Sequence, residues 1–290
     1  MFSLAKIILP VDFSERSAGA ARYVEALATA FGSEVFLVHV LPPPHYEFSA
    51  LEVGGPVLNE LFASRGTQVK KELDDYLREE LSRLEVRRVL LEGDPATELV
   101  KFASEQKAGL IVMPTHGYGP FRRFILGSVT AKVLHDADCP VWTGVHLEQA
   151  PAVGAIQFRN ILAAIDLGPQ SKRTLTWAGE IAKRFDASLR VLHVMPCTVA
   201  GNDEEAIAAW KSEAVTKATE AVHEVAAEAG IEAKIKIETG DAPKTVCDHA
   251  QRIGADLLVI GRGSAAGVFG RLRTNAYGII RESPCAVVSV

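Results

Sequence analysis

The chain repeats itself once, and this repeat limits its fold more than any other feature of the sequence. Residues 6–12 (KIILPVD) match residues 160–166 (NILAAID) at an offset of 154. Near the end of each copy, residues 139–141 (CPV) match residues 285–287 (CAV) at an offset of 146. Ordered matches with a slowly falling offset indicate a duplicated domain whose second copy is shorter in its middle.

Each copy alternates short apolar runs with amphipathic stretches. In the first copy the apolar runs lie near residues 5–11, 35–41, 86–92, 109–113 and 140–145. Strands that are apolar throughout and alternate with helices are typical of a parallel sheet covered by helices on both faces. The pattern predicts an α/β fold with a first domain at residues 1–146, a linker rich in Ala, Pro and Gly at 147–157, and a second domain at 158–290.

Composition excludes several classes of protein. The 290 residues carry 31 basic and 36 acidic side chains, a formal net charge of -5 that argues against a nucleic-acid or membrane-surface binder. No apolar stretch approaches the ~18 residues of a membrane span, and the first residues predict a strand instead of a signal peptide. The four cysteines show no CxxC spacing, which favours free thiols over a metal site. We expect a cytoplasmic protein without membrane or nucleic-acid partners.

Asp12 follows the first predicted strand, where ligands bind in parallel sheets. It has two interpretations. It can cap the helix that follows, or its carboxylate can accept hydrogen bonds from a hydroxyl or amino group of a ligand.

The segment after the fourth predicted strand has the features of an anion site. Gly127 and Ser128 open a helix, whose first N–H groups and positive dipole end attract phosphate. Gly127 lets the backbone approach a phosphate closely, and Gly117 can adopt a positive φ at the strand exit. The alternative is an ordinary helix start with no ligand.

Motifs of efficient catalysis are absent from the sequence. It contains no GxxxxGK[ST], HExxH or GxSxG motif and no obvious Ser/His/Asp set. The strand histidines His39 and His193 are expected to be hydrogen-bonded core residues. We therefore predict no catalytic residues, and at most a slow ATPase or autophosphorylation on Ser128 or Thr130.

In combination, these residues resemble the universal stress protein family, in a tandem, UspA-like form that covers nearly the whole chain. Nucleotide-binding members of that family carry an aspartate after the first strand and the pattern G-x2-G-x9-G-[ST]. Asp12 takes the first role, and Gly117-x9-Gly127-Ser128 follows the pattern with the correct spacing. Pro114 stands where the pattern has its first glycine, so one backbone N–H is missing.

The resemblance implies a fold, a ligand and a function. Each domain would be flavodoxin- or Rossmann-like, with five parallel strands in the order 3-2-1-4-5. The first domain would bind ATP, with Mg, or another adenine nucleotide such as AMP or a cyclic nucleotide, and would act as a sensor or switch in the stress response. The implied nucleotide-binding residues are Pro10, Val11, Asp12, Val40, Met113, Pro114, Gly117, Gly127, Ser128 and Val129. The alternative is a dimeric scaffold or interaction protein that binds no nucleotide.

The second copy departs further from the pattern. Counting from Gly261, Ser264 replaces the second glycine, and nine residues later Thr274-Asn275 replaces Gly-Ser. The residues implied for a weak second site are Asp166, Val194, Gly261, Ser264, Thr274 and Asn275. We expect this domain to be degenerate and its role to be structural.

The resemblance also implies a pattern of assembly. The two domains of one chain would pair through their last strands as an intrachain pseudo-dimer, and short apolar edge strands favour such pairing. Two chains would then associate as a homodimer.

Overall fold

A computed structural model of the chain describes residues 2–43, 55–115, 126–144, 151–196, 204–262 and 274–290. The chain divides into two compact units, formed mainly by residues 3–141 and by residues 157–290. We call residues 3–144 the first domain and residues 157–290 the second domain, so that each contains one copy of the repeat. The predicted boundaries at 146 and 158 stay a prediction.

The first domain alternates strands and helices from its first element to its last. Its elements are β1 (Lys6–Pro10), α1 (Glu15–Phe31), β2 (Glu34–Leu41), α2 (Gly55–Asp75), β3 (Val86–Glu92), α3 (Pro95–Gln106), β4 (Leu110–Val112), α4 (Ser128–Asp136) and β5 (Val141–Thr143). The second domain repeats this order with β6 (Asn160–Ile165), α5 (Ser171–Phe185), β7 (Ser188–Met195), α6 (Glu204–Ala229), β8 (Lys234–Thr239), α7 (Ala242–Ile253), β9 (Leu257–Ile260), α8 (Thr274–Glu282) and β10 (Ala286–Ser289).

Both domains have the predicted strand order. The strands run β3-β2-β1-β4-β5 in the first domain and β8-β7-β6-β9-β10 in the second. The pairs β1–β2 and β6–β7 are parallel, with Lys6 opposite Glu34 and Asn160 opposite Ser188. The predicted α/β fold, with two parallel arrangements of order 3-2-1-4-5, is confirmed.

The central strands form the core of each domain. Ile7, Ile8 and Leu9 on β1 are fully buried, as are Leu257, Leu258 and Val259 on β9. Such continuous burial is expected of parallel strands that have helices on both faces. Strand order reverses between β1 and β4, and between β6 and β9, so each domain has a crevice at the carboxyl ends of those strands.

Helix ends show how the sequence limits each element. Ser14 caps α1 by accepting a hydrogen bond from the N–H of Ser17, and α1 ends at Gly32 in the left-handed region, with φ of 66°. Asp94 and Asp241, which match in the repeat, cap α3 and α7 in the same way. In the part of the chain that the structure describes, every helix is too short or too polar to cross a membrane.

Candidate functional site

A cavity of about 330 Å³ lies at the carboxyl ends of β1, β2 and β4 in the first domain. The residues that line it are Pro10, Val11, Asp12, Ser17, Val38, His39, Val40, Pro95, Leu99, Met113, Pro114, Gly127, Ser128, Val129 and Thr130. Every residue predicted for the first site is among them except Gly117, which lies outside the described residues. The fold therefore brings the aspartate after β1 and the start of α4 to one cavity.

The Asp12 carboxylate is held by the turn that follows β1. Its Oδ1 accepts hydrogen bonds from the backbone N–H of Ser14 at 3.1 Å and from the Ser17 hydroxyl at 2.7 Å, and also from the Ser14 hydroxyl. Phe13, the next residue, has a φ of 63°, which is unusual for a residue other than glycine. Asp12 thus organises the helix start without being its cap, and its Oδ2 takes no part in these three bonds.

The imidazole of His39 has a defined orientation. Its Nδ1 lies 2.7 Å from the carbonyl oxygen of Val11. A carbonyl oxygen can only accept, so Nδ1 carries the proton in this bond. His193 makes the same bond to Ile165 in the second domain, at 2.9 Å. Both histidines are hydrogen-bonded strand residues, as the sequence predicts.

Phe13, His39 and Tyr76 form an aromatic cluster beside the Asp12 turn. The Phe13 ring lies over the His39 ring with centroids 4.6 Å apart, and the Tyr76 ring meets Phe13 edge-on at 5.2 Å. The Tyr76 hydroxyl donates to the carbonyl oxygen of Ser14 at 2.9 Å. Burial, and then the nearby Asp12 charge, raise the pKa of Tyr76 to about 12, so this phenol stays a donor at neutral pH.

The start of α4 presents backbone donors to the cavity. Gly127 is the N-cap residue of α4 and makes no side-chain capping bond. The N–H of Gly127 donates to the carbonyl oxygen of Thr115 at 2.8 Å, so this group is not available to a ligand. The N–H groups of Ser128 and Val129 have no acceptor within the helix because they lie in its first turn. They are the donors best placed for an anion.

The two hydroxyl groups at this helix start differ in accessibility. Ser128 is exposed at the cavity, whereas Thr130 is 3% exposed. The Thr130 hydroxyl donates to the carbonyl oxygen of Pro114 at 3.0 Å. Pro114 lacks an N–H, but its carbonyl group fixes α4 against the end of β4.

The second domain has a cavity of similar size, about 290 Å³, at the corresponding strand ends. Its lining residues are Ala164, Ile165, Asp166, Ser171, Thr174, Leu192, His193, Val194, Pro196, Ala242, Val246, Ile260, Gly261, Asn275, Ala276 and Ile279. Four of the predicted second-site residues, Asp166, Val194, Gly261 and Asn275, are among them. Thr274 begins α8, and Ser264 lies outside the described residues.

The turn after β6 repeats the turn after β1, with a longer contact between the carboxylate and its serine. Asp166 Oδ1 accepts from the N–H of Gly168 at 2.9 Å, and the Ser171 hydroxyl is 3.5 Å away. Leu167 has a φ of 59°, close to that of Phe13. Asp166 is exposed, whereas Asp12 is half-buried.

Helix register changes the comparison between the two helix starts. Helices α4 and α8 both span nine residues and end three residues before Cys139 and Cys285. In this register Thr274 corresponds to Ser128, and not to Gly127 as counting from Gly261 gives. Asn275 then corresponds to Val129. The physical reason is that a loop can lose a residue, whereas a shift within the helix would turn its buried face away from the sheet.

Other chemistries find little support among the described side chains. No group of three or more His, Cys, Asp or Glu residues in that part of the chain could hold a metal ion. Among the described residues, Cys139, Cys247 and Cys285 form no disulfide, and Cys197 lies outside the described residues. Burial raises the pKa of Cys247 to about 12 and that of Cys285 to about 11, so both thiols are poor nucleophiles at neutral pH.

Sequence reasoning missed several contributors to the first site, among them Ser17, Phe13 and Tyr76. Ser17 was detectable, because Ser17 and Ser171 stand five residues after Asp12 and Asp166 in both copies. Phe13 and Tyr76 gave no such signal, since the second copy has Leu167 in place of Phe13 and Tyr76 is far away in sequence.

Both halves of the chain are similar to known proteins of one family. The model of the "Universal stress protein family" matches residues 4–143 and again residues 157–290. Universal stress protein MJ0531 of Methanocaldococcus jannaschii is 35% identical over 136 residues, which are 47% of this chain and 79% of that protein. Universal stress protein Sll1654 of a Synechocystis species is 32% identical over 138 residues, which are 47% of this chain and 88% of that protein.

A solved structure extends the likeness to both domains. The crystal structure of a universal stress protein from Archaeoglobus fulgidus aligns with 99% of this chain and 96% of its own, with a TM-score of 0.67 and 23% identity. This likeness supports the fold. Together with the family match to both halves, it shows that the chain belongs to the universal stress protein family, in its tandem two-domain form.

Proposed function

We propose that the first domain binds ATP or another adenine nucleotide and that the chain acts as a sensor or switch in the stress response. The observation that carries the proposal is that Asp12 and the first turn of α4 line the same cavity. A carboxylate for hydroxyl groups and a helix start for an anion are the two polar functions that a nucleotide needs.

The base and ribose would occupy the part of the cavity at the carboxyl ends of β1 and β2. Apolar side chains line this region, among them Val11, Val40 and Met113, and all three are buried. Flat, apolar ligand groups are held by such walls, while a few polar groups fix their orientation. The Oδ2 atom of Asp12 would accept from the ribose diol, because Ser14 and Ser17 already use Oδ1.

The phosphates would bind at the start of α4. The N–H groups of Ser128 and Val129, the Ser128 hydroxyl and the positive end of the helix dipole all favour an anion there. Gly117 remains a phosphate-binding residue by its place in the sequence pattern. Magnesium would enter with the phosphates, since Mg²⁺ is usually held by one or two carboxylates together with substrate phosphates. Asp12, the acidic side chain among the described lining residues, is assigned to the ribose, so phosphate oxygens and water would hold the Mg²⁺.

We propose that the second domain binds nucleotide weakly or not at all. Asp166 keeps its turn, but its contact with Ser171 is longer than that of Asp12 with Ser17. Asn275 and Ala276 line the cavity where Val129 and Thr130 line the first one. Pairing of the two domains within the chain, homodimerisation and a cytoplasmic location belong to the same proposal.

A scaffold that binds no nucleotide is the second candidate. It is favoured by Pro114, because a proline at the end of β4 removes one backbone donor from the site. Slow ATP hydrolysis or autophosphorylation is compatible with nucleotide binding. Ser128 would then be the acceptor, since the Thr130 hydroxyl is buried and bonded to Pro114.

The nucleotide content of the freshly purified chain tests the proposal. The chain is denatured, and the released small molecules are separated by chromatography and identified by mass. We expect about one adenine nucleotide per chain, as for a single site, or uptake of added ATP with magnesium if the site is empty on purification. If the chain carries no bound nucleotide and takes up no added ATP, the result would favour the scaffold.

A further inference from the structure

The aromatic cluster of Phe13, His39 and Tyr76 supports a turn that both domains share, but the second domain has Leu167 in place of Phe13. Asp12 and Asp166 occupy equivalent turns, and Phe13 and Leu167 both have a left-handed backbone. The second domain has no Tyr, Phe or Trp between residues 211 and 240, the region that corresponds to the end of α2. The fold of the turn therefore does not require the tyrosine.

Tyr76 connects the Asp12 turn to a distant and well-fixed part of the domain. Its hydroxyl reaches the Ser14 carbonyl across 62 positions of sequence, and its ring meets Phe13 edge-on. Arg88 on β3 in turn donates to the carbonyl oxygens of Leu73 and Tyr76, at 3.1 and 3.2 Å. The chain just after α2 is thus tied to the sheet, and the turn that carries Asp12 is tied to that chain.

The carboxylates of the two domains differ in exposure and in the length of one serine contact. The Ser17 hydroxyl lies 2.7 Å from Asp12, whereas the Ser171 hydroxyl lies 3.5 Å from Asp166. Asp12 is half-buried and Asp166 is exposed. A ligand-binding carboxylate whose orientation is fixed in advance loses less entropy on binding.

We propose that Tyr76 is a positioning residue for Asp12, and that it orients the carboxylate toward a vicinal diol of the ligand through Ser14 and Phe13. The inference rests on the proposed function, because it takes the diol to be that of a ribonucleotide. Tyr76 itself does not contact the ligand in this arrangement. Its effect is confined to the part of the ligand that Asp12 binds.

The test compares ATP with 2′,3′-dideoxy-ATP, which lacks both ribose hydroxyls, on the full chain and on Tyr76→Phe. We expect Tyr76→Phe to weaken ATP binding about five-fold, the effect of one lost hydrogen bond, and dideoxy-ATP binding less than about two-fold. Tyr277→Phe is the matched control, since it removes a phenol hydroxyl from α8 of the other domain. It should leave both dissociation constants unchanged.

A second variant keeps the test independent of folding defects in Tyr76→Phe. Phe13→Leu copies the second domain, where leucine already adopts the left-handed backbone, and it removes the ring that Tyr76 contacts. It should show the same selective loss for ATP. Equal losses for ATP and dideoxy-ATP, or no loss for ATP, would overturn the positioning role while leaving the nucleotide site in place. Failure of the unaltered chain to bind ATP would overturn the proposed function and this inference with it.

Discussion

The two cavities differ less in volume than in how their polar groups are held. They enclose about 330 and 290 Å³, at equivalent strand ends, and each has an aspartate followed by a left-handed residue. In the first domain the carboxylate is half-buried, bound closely by two serines and supported by an aromatic cluster. In the second domain the carboxylate is exposed, and its contact with Ser171 is longer than that of Asp12 with Ser17. Duplication has therefore preserved the crevice, while the features that would select a nucleotide are concentrated in one copy.

The largest expected effect on ATP affinity comes from a substitution at the start of α4. Gly127 has φ of -60° and ψ of 146°, a conformation that valine accepts, so Gly127→Val should fold normally. Its side chain would enter the space proposed for phosphate. We expect ATP affinity to fall by about 100-fold, near the upper end of overpacking costs.

Gly154→Val is the matched control for that substitution. A Cβ added at Gly154 meets no atom within 4 Å, and Gly154 lines neither cavity. Isothermal titration with ATP should show wild-type affinity for Gly154→Val. Unchanged ATP affinity in Gly127→Val would show that the phosphates do not bind at the start of α4.

Replacing the two aspartates tests which cavity binds the ligand. Asp12→Asn keeps the shape of the side chain and removes its charge, so ATP affinity should fall about 10-fold, as for one charge-assisted hydrogen bond. Asp186→Asn, on the exposed end of α5, controls for the loss of one negative charge. Asp166→Asn should affect the measured site far less than Asp12→Asn. The opposite order would place the nucleotide in the second domain.

Stability offers a smaller contrast between the domains. The Asp94 carboxylate caps α3 and also binds Lys132 on α4 at 2.9 Å. When α8 is aligned with α4 by their ends, Lys132 corresponds to Gly278, which has no side chain to bind Asp241. Asp94→Ala should lower the free energy of unfolding by about 1.5 kcal/mol, through the lost cap and the lost bond to Lys132. Asp241→Ala should cost less because it breaks the cap alone. Equal losses in calorimetry would show that Lys132 contributes nothing.

The contribution of the Asp94 carboxylate to folding stability depends on pH in a definite direction. Hydrogen bonds from Thr97, and then from Lys132, lower the pKa of Asp94 to about 2. The stabilisation is therefore complete above the ordinary pKa of about 3.9 and is lost as the pH falls through about 2. The difference in thermal midpoint between the unaltered chain and Asp94→Ala should shrink over that interval. A difference that grows on acidification would contradict the assignment.

The smallest effect concerns the cysteines. Cys139 and Cys285 match in the repeat, but Cys139 is half-buried and Cys285 is buried with a raised pKa. Alkylation at about pH 8, followed by mass spectrometry, should modify Cys139 faster than Cys285. Equal rates would indicate that the second domain opens more readily than its packing implies.

The fold could be predicted from the sequence because its signals are local and occur twice. Buried parallel strands read as apolar runs, and the aspartate after each first strand marks the carboxyl end of the sheet. The start of α4 was also visible, since Gly127-Ser128 precedes an amphipathic stretch. These features need no knowledge of distant contacts.

The rest of the site depends on tertiary contacts that a local pattern cannot show. The use of the Gly127 N–H by Thr115 is a contact between two separate parts of the chain, and the role of Tyr76 follows from a contact 62 residues away. The register of α8 was hidden for a related reason. Counting from a glycine assumes a loop of fixed length, whereas burial of the helix sets the true alignment.

The number of ATP molecules bound per chain, measured by equilibrium dialysis with magnesium, tests the contrast between the two cavities most directly. We predict a stoichiometry of about one, as for a single competent site, with an affinity that falls about 10-fold in Asp12→Asn and stays unchanged in Asp166→Asn. A stoichiometry of about two, with each substitution weakening one of the two sites, would show that both cavities are equivalent nucleotide sites and would contradict the contrast drawn here.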